Sequence, residues 1–134
     1  MPASSPVKKL LLKPGNHFLL LNAPEGYLAL LGELPQGVIL SQEVSGPAKY
    51  DLVQVFVRSK AEAEAFWKTA TEAVRPGGIL WMSYPKKTSS IKTDINRDAG
   101  WDSLKAAGWD TVAAVAIDDT WSALRFKPVG VNTK

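Results

Sequence analysis

A chain of 134 residues, 46% hydrophobic and 22% charged, reads as one soluble globular domain spanning residues 1–134, with frayed ends at 1–5 and 129–134. It has no cysteine and a single histidine, His17, which excludes a disulfide framework, thiolate chemistry and a His/Cys zinc site, and leaves carboxylate-only magnesium as the sole metal option. A net charge of +3 permits an anionic partner without demanding nucleic acid.

No apolar stretch approaches membrane-spanning length. The start, Met1-Pro2-Ala3-Ser4-Ser5-Pro6, is polar and does not read as a secretory signal. The expected setting is the cytoplasm.

Ser5 as an N-cap with Pro6 behind it predicts a short helix over 6–12, stopped before Pro14. Residues 17–22 predict a strand. Phe18, Leu19, Leu20 and Leu21 lack polar alternation, as in a parallel sheet covered on both faces. Pro24 predicts a helix to about Gly32, with Tyr27, Leu30, Leu31 and Leu34 on one side. A short second strand is expected over 38–42, and a third over 51–57 with one polar residue, Gln54, inside it.

The strongest helix signal follows. Ser59 and Glu62 have the spacing of a capping box, and Ala63, Phe66, Trp67, Ala70 and Val74 form an apolar stripe. Pro76-Gly77-Gly78 is read as its stop. A fourth strand is expected over 79–84, a polar loop over 85–96, a helix over 97–107 ending at Gly108, and strands over 111–117 and 122–127 joined by the turn Asp118-Asp119-Thr120-Trp121. Strands alternate with helices and a hairpin closes the chain, which predicts an α/β domain with a mostly parallel sheet.

Several segments resemble class I S-adenosylmethionine-dependent methyltransferases: the lead-in Lys13-Pro14-Gly15 to the first strand, Tyr50-Asp51-Leu52-Val53, and Arg75-Pro76-Gly77-Gly78. The resemblance implies a three-layer Rossmann-like sandwich. The family has a helix, a strand and a helix where this chain has only the stretch between Gln42 and Asp51, too short to hold them. The expected sheet is therefore a reduced one of about six strands, order 2-1-3-4-6-5, with the last strand antiparallel. Right-handed crossovers would place the Pro24 helix on one face and the two other long helices on the opposite face. The thinly covered face would be closed by residues 6–12 or by a second subunit, so a homodimer is expected.

The family places an acidic residue and a glycine-rich turn after its first strand. Here the turn is Asn22-Ala23-Pro24-Glu25-Gly26: Pro24 removes a donor and Glu25 brings negative charge. The expectation is accordingly that no cofactor is bound. A second resemblance is to a bacterial family of small domains of unknown function, carried by Asn22-Ala23-Pro24-Glu25-Gly26-Tyr27, Tyr84-Pro85-Lys86-Lys87-Thr88-Ser89 and the segment from Ile117 to Phe126. It implies a bacterial cytoplasmic setting and no particular activity.

Ligands of open α/β sheets sit beyond the carboxyl ends of the strands, where strand order reverses. That point falls between the first and third strands. It nominates Asn22, Glu25, Tyr27, Arg58, Tyr84, Lys86, Lys87, Thr88, Arg97, Asp118, Asp119 and Trp121 as ligand-binding candidates, with no catalytic or metal-binding residue among them. Lys86, Lys87 and Arg97 with neighbouring hydroxyls suit a phosphate or another small anion. Against that, Asn22 and Pro24 suit a helix cap, Asp118 and Asp119 suit a turn, and Trp121 suits packing over the hairpin. His17, at the other end of the sheet, is expected to be structural. The leading expectation is a non-catalytic module that binds a small anionic ligand or a protein partner. Methyl transfer with an atypical cofactor loop, and nucleic-acid binding through the 86–97 loop, are the alternatives.

Overall fold

The computed structural model describes residues 9–44, 46, 49–86, 92–96, 100–118 and 120–128. They form β1 (His17–Leu21), α1 (Tyr27–Leu31), β2 (Ile39–Ser41), β3 (Tyr50–Phe56), α2 (Lys60–Ala73), β4 (Val74–Pro85), α3 (Asp102–Ala106), β5 (Trp109–Ala116) and β6 (Trp121–Pro128). The six strands make one sheet in the order β2-β1-β3-β4-β6-β5. β1, β2, β3 and β4 run parallel, and β6 lies antiparallel between β4 and β5. This is the reduced topology expected from the sequence.

Alternation along the strands divides the core into two layers. Leu19, Leu21, Val53, Val55, Leu80, Met82, Leu124 and Phe126 face α2 and α3 with Trp101 and Leu104. Phe18, Leu20, Leu52, Phe56, Trp81, Trp121 and Ala123 face the other way, toward Tyr27 and Leu31 of α1. The second face carries only a five-residue helix, and the chain before β1 completes it. Leu10 and Leu12 are buried there, and Trp81 Nε1 donates to the Leu10 carbonyl at 2.9 Å. Of the predicted 6–12 helix, residue 9 is helical and residues 10–11 form a turn, while residues 6–8 lie outside the described residues.

α2 starts where predicted. Ser59 Oγ accepts from the Glu62 N–H at 3.1 Å, and Glu62 Oε1 accepts from the Arg58 N–H at 2.7 Å, one residue earlier than in a standard capping box. Its end departs from expectation. Residues 75–78 do not stop the helix before a separate strand: β4 begins directly at Val74, which pairs with Tyr50, and the ladder resumes at Ile79 opposite Leu52. The four residues between them bulge out against Asp51 alone. A Cβ on Gly78 would come within 2.8 Å of Val74 Cγ2 and 3.0 Å of the Asp51 carbonyl oxygen, so a side chain there would force its neighbours to shift.

The other helices are shorter than their sequence patterns. Gly26 adopts φ 87° and caps α1 without a side-chain bond, so the helix cannot begin at Pro24, and Leu30 is left 43% exposed. α3 covers half of the predicted 97–107 helix, with residues 97–99 outside the described residues. Among the described residues, no helix is long and apolar enough to cross a membrane.

Candidate functional site

The carboxyl ends of the parallel strands meet at the point between β1 and β3. Asn22 follows β1 in the left-handed region, φ 58°, which a side chain able to bond locally tolerates better than most. Its Nδ2 donates to the Phe56 carbonyl at 2.7 Å and to Glu62 Oε1 at 3.3 Å. The amide thus ties the end of β1 to the end of β3 and to the first turn of α2. At the strand-order reversal itself, side chains bridge the crevice.

Beside that bridge, on the α1 face, lies a cleft of about 280 Å³ lined by Pro24, Glu25, Gly26, Tyr27, Leu30, Asp118 and Trp121. Its floor is aromatic. Tyr27 packs edge-on against Phe56 with centroids 4.6 Å apart, and Phe56 against Trp121 at 4.9 Å. The Arg58 guanidinium lies over the Trp121 ring, 5.6 Å from its centroid.

Beneath the floor a buried polar chain crosses the sheet. Tyr27 Oη donates to Gln54 Oε1 at 2.9 Å, and Gln54 Nε2 donates to Ser83 Oγ at 3.0 Å. Gln54 and Ser83 are fully buried. Burial pushes the Tyr27 phenol well above the ordinary tyrosine range; its bond to Gln54 opposes this and the nearby Asp118 charge adds to it. Tyr27 is therefore a donor at neutral pH and not a base.

Asp118 holds the β5–β6 turn. Its Oδ1 accepts from the Thr120 and Trp121 N–H groups, each at 2.8 Å, the local turn its residue type predicts. Glu25 is exposed on the opposite lip. The cleft therefore presents two carboxylates across a tyrosine and a tryptophan, and no cation among its lining residues.

Four nominated residues, Glu25, Tyr27, Asp118 and Trp121, come together here. Asn22 and Arg58 stand beside the cleft, as clamp and as cover for Trp121. Tyr84 points into the opposite layer, 5.9 Å from Trp101 between centroids. Lys86 lies beyond β4, its N–H bonded to the Thr120 carbonyl at 2.7 Å, and does not line the cleft. Lys87, Thr88, Arg97 and Asp119 lie outside the described residues. Pro24 and Gly26 lie within the 22–27 wall expected from the sequence, and Leu30 is the lining residue that sequence reading missed. Sequence reading noticed Gln54 only as a polar break in a strand, which was the available signal for the buried chain. His17 lies at the other end of the sheet, where its backbone N–H donates to Asp51 Oδ2 at 2.7 Å and its Nε2 lies 3.1 Å from Ser41 Oγ.

No protein-family model matches the chain, and no curated protein matches it in sequence, so the likeness to small bacterial domains rests on the quoted segments. Solved structures do match. DhpI in complex with SAM (S-adenosylmethionine) and HEP is 15% identical, with a TM-score of 0.61 over 92% of this chain and 84% of that one. A SAM-dependent methyltransferase from Aquifex aeolicus is 16% identical, with a TM-score of 0.56 over 90% and 86%. Fibrillarin from Aeropyrum pernix with natively bound SAM is 13% identical, with a TM-score of 0.57 over 87% and 68%. The fold is methyltransferase-like.

One expectation is corrected by these neighbours. The turn after β1 led to the expectation of no cofactor, yet this fold carries SAM in DhpI and in the archaeal fibrillarin, and SAH (S-adenosylhomocysteine) in a second DhpI structure. Absence of a glycine-rich turn was too local a criterion. A methyltransferase-like sheet offers its whole carboxyl end to a ligand, and here the acidic lining comes from Glu25 and from Asp118, distant in sequence. The residues fit one part of such a molecule. Carboxylates suit a sulfonium or ammonium charge and a ribose diol, and the aromatic floor suits an apolar face. At about 280 Å³ the cleft lies just below the usual size of small-molecule sites.

Proposed function

We propose that the protein is a small-molecule-binding module of the methyltransferase-like fold, whose ligand carries a cationic or diol-bearing group, adenosyl compounds of the SAM class being the first candidates. The observation that carries this reading is the pairing of Glu25 and Asp118 across one cleft floored by Tyr27 and Trp121. In this reading Glu25 and the free oxygen of Asp118 accept from the ligand, Tyr27 and Trp121 exclude water, and Asn22 with Gln54 holds the strand ends rigid. The protein binds and does not turn its ligand over.

The test is calorimetric titration of SAH into the wild type, Glu25→Gln and Asp118→Asn. Asp118→Asn keeps an oxygen for the turn bonds, so it removes charge and leaves the turn intact. Each variant is expected to weaken binding by about tenfold, the loss of one charge-assisted hydrogen bond. Binding that ignores both substitutions would place the ligand elsewhere and overturn the reading. Methyl transfer is the second reading, favoured by the SAM-bound neighbours. It separates from the first by Asp118-dependent conversion of SAM to SAH when an acceptor mixture is supplied.

A further inference from the structure

A larger cavity than this cleft lies at the other end of the sheet. It measures about 620 Å³ and lies where β4 and β5 begin and β6 ends. Val74, Pro76 and Trp109 give it apolar walls, and Arg125 and Lys127 of β6 give it positive charge. The volume is well inside the range of small-molecule sites. Trp109 packs one part of its ring against the core and remains partly exposed.

The charges around it are unequal. Arg75 lines the cavity too, but its guanidinium is committed to Asp51. Glu72 is exposed and forms no ion pair with Arg125 or Lys127, the only ion pair among the described residues being Arg75–Asp51. Arg125 is partly buried, with Trp81 on β4 and Ala113 on β5 as its cross-strand neighbours, and Asp110 of β5 stands opposite Lys127. Residues 75–78 of the bulge line the cavity, and a side chain at Gly78 would crowd Val74 and the backbone there.

We propose that this cavity is a second ligand site, separate from the cleft at Glu25 and Asp118, that takes a small molecule with a flat apolar body and an anionic head, a carboxylate or sulfonate. The head pairs with Arg125 and Lys127, for which a planar guanidinium gives a two-pronged bond. The body lies against Trp109, Val74 and Pro76. The inference does not depend on the function proposed for the cleft.

The experiment is a backbone-amide NMR titration of the full chain with 2-naphthoate and, separately, with its neutral counterpart 2-naphthamide. Saturable shifts of the Gly77 and Gly78 amides and of the Trp109 indole N–H are expected with naphthoate, and binding of the amide at least about tenfold weaker. Arg125→Gln should remove that difference, and Lys127→Gln, at an exposed strand end that the fold does not need, should narrow it. Glu25→Gln should leave naphthoate binding unchanged. Equal affinity for acid and amide, absence of saturable shifts at Gly77 and Gly78, or indifference to both cation substitutions overturns the proposal.

Discussion

Tyr27 shows how one hydroxyl can organise a site it does not serve as a base. It spends its only donor on Gln54, whose amide passes the bond to Ser83, so the chain is satisfied from α1 across to β4. Tyr27→Phe leaves the Gln54 oxygen buried without a donor. The expected loss is about 1–3 kcal/mol in urea unfolding. Asp51 is the second residue with a readable consequence. Its carboxyl is held below the ordinary aspartate range, first by the His17 N–H and then, against some burial, by Arg75. The unfolded chain therefore takes up this proton at a higher pH than the folded one. The stabilisation is present above about pH 4 and is lost as pH falls through the folded value. Urea midpoints of wild type and Asp51→Asn should differ at pH 6, and the gap should narrow as pH falls below about 4. A gap that stays constant as pH falls would assign the role of Asp51 to packing.

Among the elements, those set by local chemistry were legible in sequence and those set by tertiary neighbours were not. β1 announced itself by four consecutive apolar residues, and α2 by Ser59 and Glu62. The segment Arg75-Pro76-Gly77-Gly78 looked like a turn because a proline and two glycines usually make one. Only the register of β3 against β4 reveals a bulge within one long strand. Gly78→Ala is expected to destabilise by about 1–3 kcal/mol, since two of its three close neighbours are backbone atoms that cannot swing aside. The short α1 has a comparable explanation. The sequence suggested a helix from Pro24 to about Gly32; it ends there as expected, at a Gly32 of φ 70°, but the left-handed Gly26 delays its start to Tyr27. Half of the cleft was legible because Asn22–Tyr27 and the Asp118 turn carry distinctive polar residues. The Arg125 cavity was not, because Val74, Trp109 and Arg125 meet only once the sheet has formed.

At the scale of the molecule, the chain forms a methyltransferase-like six-stranded sheet in which a five-residue helix is the only one on the Phe18–Leu20 face among the described residues. One face consequently has little helix to cover it. Leu10 and Leu12, with the Trp81–Leu10 hydrogen bond, close part of that face from within the chain. Leu10→Ala should cost about 2–5 kcal/mol, as for other fully buried leucines, and is read by thermal unfolding. The same economy leaves the cleft open beside α1, because so short a helix does not reach across to the β5–β6 turn. The protein's proposed work is concentrated there, and a thermal-shift comparison of wild type with the Glu25→Gln/Asp118→Asn double variant in the presence of SAH tests it most directly. At a ligand concentration about 100 times the dissociation constant, bound SAH adds about 2.7 kcal/mol, a rise of several degrees in the wild type. The double variant, weakened about a hundredfold, should keep only about 0.4 kcal/mol of that and rise by about a degree or two. No rise in either protein, or an equal rise in both, would contradict a ligand held by these two carboxylates.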